Sequence, residues 1–225
     1  MSSSYLFLSH ILDEKTPTYG NRNKFQKIKK SAILNGDVAN DTYIKTTSHI
    51  GTHIDMPYHF YENGQTIEDF DINFWIFQNP LFIEILPQDF IIKDELLEKL
   101  AVVDNRTLYD ILIVKTGICH QRDKDIFWEQ NYGFAPEIAN YLREKFPSIR
   151  VFGFDSISVS SFTNRVVGRE AHKRFLDPKK PILLLEDMDL RDMNQTTKLK
   201  SVIVSPLRIT QCDGLPCSVF GVIDD

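Results

Sequence analysis

The chain has 225 residues, a formal net charge of −5 at pH 7 and 42% hydrophobic residues. This length predicts one domain over residues 1–225 with a sizeable core. The acidic balance lacks the basic footprint of a nucleic-acid-binding protein. No apolar run approaches the roughly 20 residues that cross a bilayer, and the N-terminal residues lack the pattern of a signal peptide. Three cysteines without zinc-finger spacing favour a reducing, cytoplasmic setting.

The N-terminal part predicts one strand and one turn. An apolar run predicts a strand at residues 5–8, and a proline and a glycine predict a turn at residues 17–20. The lysine-rich residues 24–30 favour a solvated strand or loop edge, and a site for an anionic partner is the alternative.

Half of the six histidines lie in one short segment, residues 48–59. Its β-branched residues favour an extended strand, while a glycine and a proline argue against a helix. Because side chains alternate along a strand, His49, His53 and Asp55 would share one face. His59 would follow just beyond the strand end.

Two imidazoles and a carboxylate on one face are ligand types that suit Zn, Mn, Fe or Ni. Burying such groups unpaired is costly, which favours a shared cation. A surface strand with solvated histidines is the alternative, but the regular alternation of the donors favours a metal site.

The segment resembles the H-x-G-T-H-x-D-x-P-x-H signature of the cyclase family. Its seven fixed positions are filled by His49, Gly51, Thr52, His53, Asp55, Pro57 and His59. That family includes metal-dependent kynurenine formamidases (arylformamidases) and isatin hydrolase. The resemblance covers nearly all of the chain and implies an α/β, swivelling β/α/β cyclase-like fold with a mixed sheet. It also implies that Tyr19 binds substrate as an aromatic lid; an exposed turn aromatic is the alternative.

Strands and helices alternate beyond the histidine segment. Residues 67–77 mix four aromatic residues with acids, which suits either a pocket wall or plain core. The further predicted elements are a strand at 81–86, a helix at 94–100, a buried strand at 111–115, a loop or short helix at 125–128, a helix at 136–146, a strand at 149–154, a helix-like stretch at 168–176, and strands at 182–185 and 200–204. The alternation indicates the α/β class.

Two later residues are further candidates. By spacing alone His172 is a surface helix residue or a site residue, and Glu186 is a loop acid or a functional carboxylate at a strand end. The resemblance implies that both complete the metal site. The chain departs from the family pattern at Val159, Ser160 and Asp187, which bears on the substrate and on the residues around the ligands.

The resemblance implies a site for two divalent ions per chain, zinc first and manganese as the alternative. Its implied ligands are His49, His53, Asp55, His172 and Glu186. Five candidates exceed what one catalytic zinc usually takes from protein, which also favours two ions. On this interpretation metal-bound hydroxide attacks an amide carbonyl, and His59 serves as general base and then acid, work that suits an imidazole with a pKa near 6.5.

The predicted function is therefore an arylformamidase-like amidohydrolase that acts on linear or cyclic amides. The family implies N-formylkynurenine, from tryptophan catabolism, as substrate, and a homodimer or homotetramer as the assembly. Two alternatives stay open: a hydrolase or cyclase of another carbonyl substrate, and a metal- or ligand-binding protein without turnover. Neither a nucleic acid nor a membrane is expected as a partner.

Overall fold

The computed structural model describes residues 3–224 of the chain. In chain order its strands and α-helices are β1 (Ser3–Phe7), β2 (Gln26–Ser31), β3 (Asp41–Lys45), β4 (His53–Asp55), β5 (Ile76–Phe77), β6 (Pro80–Glu84), β7 (Ile91–Ile92), α1 (Asp94–Ala101), β8 (Ile111–Lys115), α2 (Ile126–Glu129), β9 (Gly133–Phe134), α3 (Glu137–Lys145), β10 (Val151–Phe154), α4 (Arg165–Phe175), β11 (Leu183–Glu186), β12 (Leu199–Pro206) and β13 (Gly214–Asp224).

A nine-stranded mixed sheet forms the centre of the molecule, in the order β5-β12-β13-β4-β11-β10-β8-β6, with β1 paired to β13. Strands β6, β8, β10 and β11 run parallel, and β4 is antiparallel to both of its neighbours. Strand β6 also contacts β12, so the sheet curls towards a barrel. The predicted α/β class with a mixed sheet is confirmed.

Apolar burial explains the strand and helix pattern. All of β8 is buried, as its continuous apolar run predicts. Between the sheet and the helices, Phe152 of β10 stacks on Phe175 of α4 with ring centroids 5.1 Å apart. Helix α3 packs against α4 and buries Ile138, Ala139 and Leu142. These contacts fix α4 against the sheet.

The strand predicted for the histidine segment is shorter than expected. Gly51 has a φ of +56°, the left-handed conformation that favours glycine, and strand pairing begins only at His53. His49 therefore does not share a strand face with His53 and Asp55, and the expectation of simple alternation is wrong for it. A turn at Gly51 brings His49 to the same place by another route.

Three further segments can be compared with their predictions. The lysine-rich residues 24–30 contribute to β2, which pairs with β3 in an exposed hairpin. In residues 67–77, Phe70 and Phe74 pack against the main core and Trp75 is buried within it, so these aromatics belong to the core. Glu186 is the last residue of β11 rather than the residue after it.

Each helix within residues 3–224 is too short or too polar to span a lipid bilayer. The division of the chain into one domain over residues 1–225 stays a prediction.

Candidate metal centre

Strand β4 holds the site in the middle of the sheet, between β11 and β13. In the pairing with β11, His53 lies opposite Glu186. In the pairing with β13, Asp55 lies opposite Gly214. The sheet thus brings together acids and imidazoles from three segments that are far apart in the sequence.

The five predicted ligands form one connected cluster. The Nε2 atom of His53 lies 3.4 Å from both Asp55 Oδ1 and Glu186 Oε2. The Nε2 atom of His172 lies 3.5 Å from Asp55 Oδ2 and 3.8 Å from Glu186 Oε1. His49 Nδ1 lies 2.8 Å from Asp55 Oδ1. The carboxylate of Asp55 therefore lies at the centre of the cluster, with its two oxygens facing different imidazoles.

Backbone carbonyls orient two of the imidazoles. The Nδ1–H of His53 donates to the Gly51 carbonyl, and the Nδ1–H of His172 donates to the Gly168 carbonyl, each over 2.8 Å. Because a carbonyl can only accept, Nδ1 carries a proton in both rings, and Nε2 is the nitrogen that faces the cluster and becomes a donor to a cation once the ring is neutral. This is the tautomer and orientation that a metal-binding histidine needs. Ser160 Oγ lies 3.3 Å from His172 Nδ1, so this departure from the family pattern contacts a proposed ligand.

The other two departures have separate roles. The Val159 amide donates to Glu186 Oε1 over 2.7 Å and helps to fix that carboxylate. Asp187 is buried and accepts two hydrogen bonds from the Arg122 guanidinium, over 2.8 and 2.7 Å. Asp187 is thus paired with Arg122, and its Oδ1 atom lies 3.7 Å from His10 Nε2 rather than beside the predicted ligands.

Asp213 is a site residue that sequence reasoning missed. Its Oδ2 atom lies 2.9 Å from His49 Nε2 and 3.3 Å from His59 Nδ1, while Oδ1 accepts a hydrogen bond from the Ser48 hydroxyl. The Asp-Gly pair by itself indicates a turn, and the resemblance to the family implies only that this turn lies near the pocket, with no role for the carboxylate. The turn places the carboxylate between the two imidazoles that border the cavity.

Electrostatics of the cluster follow from burial and close pairing. Burial alone would lower the pKa of His49, but the charge and hydrogen bonds of Asp55 and Asp213 outweigh it and raise the pKa to about 9. Burial likewise opposes protonation of His53 and His172, yet the facing carboxylates raise both pKa values. Burial would raise the pKa of Asp55, but His49, His172 and His53 hold it well below its ordinary value. Hydrogen bonds from His49 and His59 lower the pKa of Asp213.

The residues fit a divalent cation. Asp55 Oδ2 is buried, its polar neighbour is His172 Nε2 at 3.5 Å, and no donor within residues 3–224 reaches it at ordinary hydrogen-bond geometry, so a bound cation would satisfy it better than the protein does. One donor atom each from His49, His53 and Asp55 lie within 4.8 Å of one another, and so do donors from Asp55, His59 and His172. Imidazole nitrogens and carboxylate oxygens are the donors that Zn and Mn accept.

A cavity of about 370 Å³ opens onto the cluster. His59, carried by a single turn after Pro57, lies at its wall with 28% of the side chain exposed. Tyr19 lines the same cavity and packs edge-on against Phe162, with ring centroids 5.5 Å apart. The predicted lid residue therefore borders the cavity, while its contact with substrate stays a prediction.

A larger cavity of about 1100 Å³, near His10, is lined by none of the proposed ligands.

Comparisons with known proteins agree with this architecture. Residues 6–161 match the model of the family named Cyclase. A kynurenine formamidase from Geobacillus thermodenitrificans (strain NG80-2) is 27% identical over 172 residues, which is 73% of this chain and 74% of that protein. Cyclase-like protein 2 from Oryza sativa subsp. japonica is 24% identical over 220 residues, 94% of this chain and 76% of that protein.

Solved structures share the fold. Isatin hydrolase A from Labrenzia aggregata superposes with a TM-score of 0.81 at 20% identity, over 99% of this chain and 94% of the other. A structure described as a potential metal-dependent hydrolase with cyclase activity superposes with a TM-score of 0.77 at 19% identity, over 100% of both chains. Because the family match covers residues 6–161 and the fold agrees throughout, the chain belongs to the cyclase family.

Proposed function

We propose that the protein is a metal-dependent hydrolase of a C–N amide bond, with an arylformamidase-like reaction that releases an aryl amine and formate. The observation that carries this proposal is the meeting of three imidazoles and two carboxylates around the buried Asp55 side chain, beside an accessible cavity. A relative named kynurenine formamidase supports the choice of an amide substrate.

His53, His172, Asp55, Glu186 and His49 would hold the cations, zinc first and manganese as the alternative. Five donors with two carboxylates suit two ions better than one. Bound divalent cations would lower the pKa of a water molecule and polarise the substrate carbonyl. Asp55 Oδ1 faces His49 and His53 while Oδ2 faces His172, so both oxygens of this residue would be available to hold the cations.

His59 would move the proton. Asp213 accepts a hydrogen bond from Nδ1 of His59, which orients the ring and leaves Nε2 for proton transfer. In the proposed reaction Nε2 takes a proton from the attacking water and then donates it to the amine as the C–N bond breaks. Phe60 stacks on His172 at 4.7 Å and shields the cluster beside His59, which limits access of bulk water.

The test uses purified protein loaded with Zn or Mn. We expect between one and two equivalents of metal per chain by elemental analysis, and hydrolysis of formanilide and N-formylkynurenine that stops on chelation and returns on reloading. Less than one equivalent after loading would contradict the metal site. If isatin is hydrolysed and formamides are not, the arylformamidase-like reaction is excluded, and the protein is instead a hydrolase of another carbonyl substrate. Ligand binding without any turnover would indicate a binding protein.

A further inference from the structure

Two arginines share a helix face with the proposed ligand His172. Arg165, Arg169 and His172 occupy positions i, i+4 and i+7 of α4, and all three line the 370 Å³ cavity. With a rise of 1.5 Å per residue, Arg169 lies about 5 Å and Arg165 about 10 Å along the helix axis from His172. The arginines therefore extend the cavity away from the donor cluster, towards the N-terminal end of α4.

The positive charges of these arginines are not neutralised by the protein. On the same helix, Arg174 pairs with Glu170 over 2.7 Å. Arg122, near the cluster, pairs with Asp187. By contrast, no carboxylate among residues 3–224 forms an ion pair with Arg165 or Arg169. Both side chains are exposed at the cavity, so two guanidinium groups without a carboxylate partner face whatever enters it.

Aromatic packing restricts one of these groups. The Arg165 guanidinium carbon lies 4.2 Å from the centroid of the Phe162 ring. Phe162 is held in turn by Tyr19 and by Trp128, each with a ring centroid at 5.5 Å. A guanidinium stacked on an aromatic face keeps its N–H edge free for a planar anion.

Two hydroxyl groups with unused hydrogen-bonding capacity line the same cavity as the arginines. Thr18 is only 4% exposed, and its Oγ1 atom has no hydrogen-bond partner among the described residues. The Tyr19 hydroxyl is buried too, and its polar neighbour, the Arg165 guanidinium, can only donate to it. Both residues line the cavity. Buried hydroxyls are normally hydrogen-bonded, so these two groups lack an acceptor that a bound molecule could supply.

We propose that Arg165 and Arg169 bind a carboxylate of the substrate, with the Thr18 and Tyr19 hydroxyls as additional donors. This inference rests on the proposed function and narrows it: the preferred amide carries a carboxylate that extends from the donor cluster towards the N-terminal end of α4. Paired N–H donors of a guanidinium match the two carboxylate oxygens, which gives orientation as well as affinity. The arginines are positioning residues, because they lie beyond the reacting atoms.

Matched substrates test the subsite on the metal-loaded protein. The kcat/KM for 3-formamidobenzoate should exceed that for the neutral 3-formamidobenzamide by tenfold or more. In Arg165→Gln, Arg169→Gln and the double variant, this ratio should fall towards one, with the loss mainly in KM. The control Arg174→Gln removes an arginine of the same helix that does not line the cavity, and its ratio should equal that of the unaltered protein.

A binding measurement separates this inference from the proposed function. By calorimetry, 3-aminobenzoate should bind at least tenfold more tightly than 3-aminobenzamide, and the double variant should lose this difference. If no amide is hydrolysed but the arginine-dependent difference persists, the proposed function fails and the subsite stands. If amides are hydrolysed but the carboxylate preference is absent or survives in the double variant, the subsite is overturned, since the carboxylate is then held elsewhere, for instance by the ions.

Discussion

Gly214 lies directly against the imidazole ring of His49. A Cβ atom at position 214 would lie 2.5 Å from His49 Cε1 and 2.8 Å from each ring nitrogen, closer than real Cβ contacts allow. Gly214 also faces Asp55 in the pairing of β13 with β4. The glycine therefore leaves the space in which His49 reaches the central carboxylate.

We expect Gly214→Ala to push His49 away from Asp55 and to weaken metal binding by about 10–100-fold, the range seen when a ligand loses its support. Competition with a chromophoric chelator measures the affinity. Ser218→Ala, at an exposed position of the same strand, is the control and should bind metal as the unaltered protein does. Unchanged affinity in Gly214→Ala would show that the position of His49 does not matter for the ion.

His59→Gln should separate turnover from metal binding. The substitution removes the group proposed to carry the proton, so kcat should fall by about 10²–10⁴-fold while metal content stays the same. His120→Gln is the matched control, because His120 is exposed and lines the other cavity. Full activity in His59→Gln would remove His59 from the mechanism, and loss of bound metal would instead indicate that His59 is a ligand.

The sequence predicts the interior of the fold well. The strand at 111–115 coincides with β8, and the helix at 94–100 differs from α1 by one residue. Both predictions succeed because a buried strand has a continuous run of apolar residues and an amphipathic helix has apolar residues at helical spacing, and both patterns are visible in the sequence. The hairpin of β2 and β3 is predicted only in part. Nearly all of its residues are exposed, so its sequence does not need the alternating apolar residues by which a half-buried strand is recognised.

The sequence predicts the site only in part. The residues of the family signature are local, so His49, His53, Asp55 and His59 could be identified from one segment. Asp213 could not, because it meets His49 across 164 positions of the chain and its own neighbours indicate a turn only. Arg165 and Arg169 could not be identified either. Their helical spacing is that of ordinary solvent-exposed residues, and only the folded structure shows that they line the cavity.

Asp155 should stabilise the fold. It is buried directly after β10 and accepts hydrogen bonds from the amide and hydroxyl of Thr116, both over 2.8 Å, and from the amide of Gly117 over 2.9 Å. Asp155→Ala would leave these buried donors unpaired, and we expect the free energy of unfolding to fall by about 3 kcal/mol or more.

Urea denaturation measures this loss. Asp155→Asn retains one acceptor oxygen and should lose less. Asp104→Ala, at an exposed position, should unfold at the same urea concentration as the unaltered protein. Equal midpoints for Asp155→Ala and Asp104→Ala would contradict a stabilising role for the buried carboxylate.

The raised pKa of His49 predicts a pH dependence of stability in the metal-free protein. In the fold Asp55 and Asp213 outweigh burial and raise this pKa to about 9, above the value of about 6.5 in an unfolded chain. Protonated His49 therefore stabilises the fold fully below about pH 6.5, and this contribution is lost as the pH rises through about 9. We expect the free energy of unfolding, measured in urea with chelator present, to decrease between these two values, and to decrease less in His49→Gln.

Metal binding should show the opposite trend, because an imidazole must lose its proton before it binds a cation. With His49 protonated in the metal-free state, loading at pH 7 releases protons, and the metal affinity rises between pH 6.5 and 9. Calorimetry in two buffers of different ionisation enthalpy counts the protons released per ion, and His49→Gln should release fewer. Zero proton release by the unaltered protein at pH 7 would mean that the imidazoles in the cluster are already neutral, and the paired carboxylates would then not control the charge of His49.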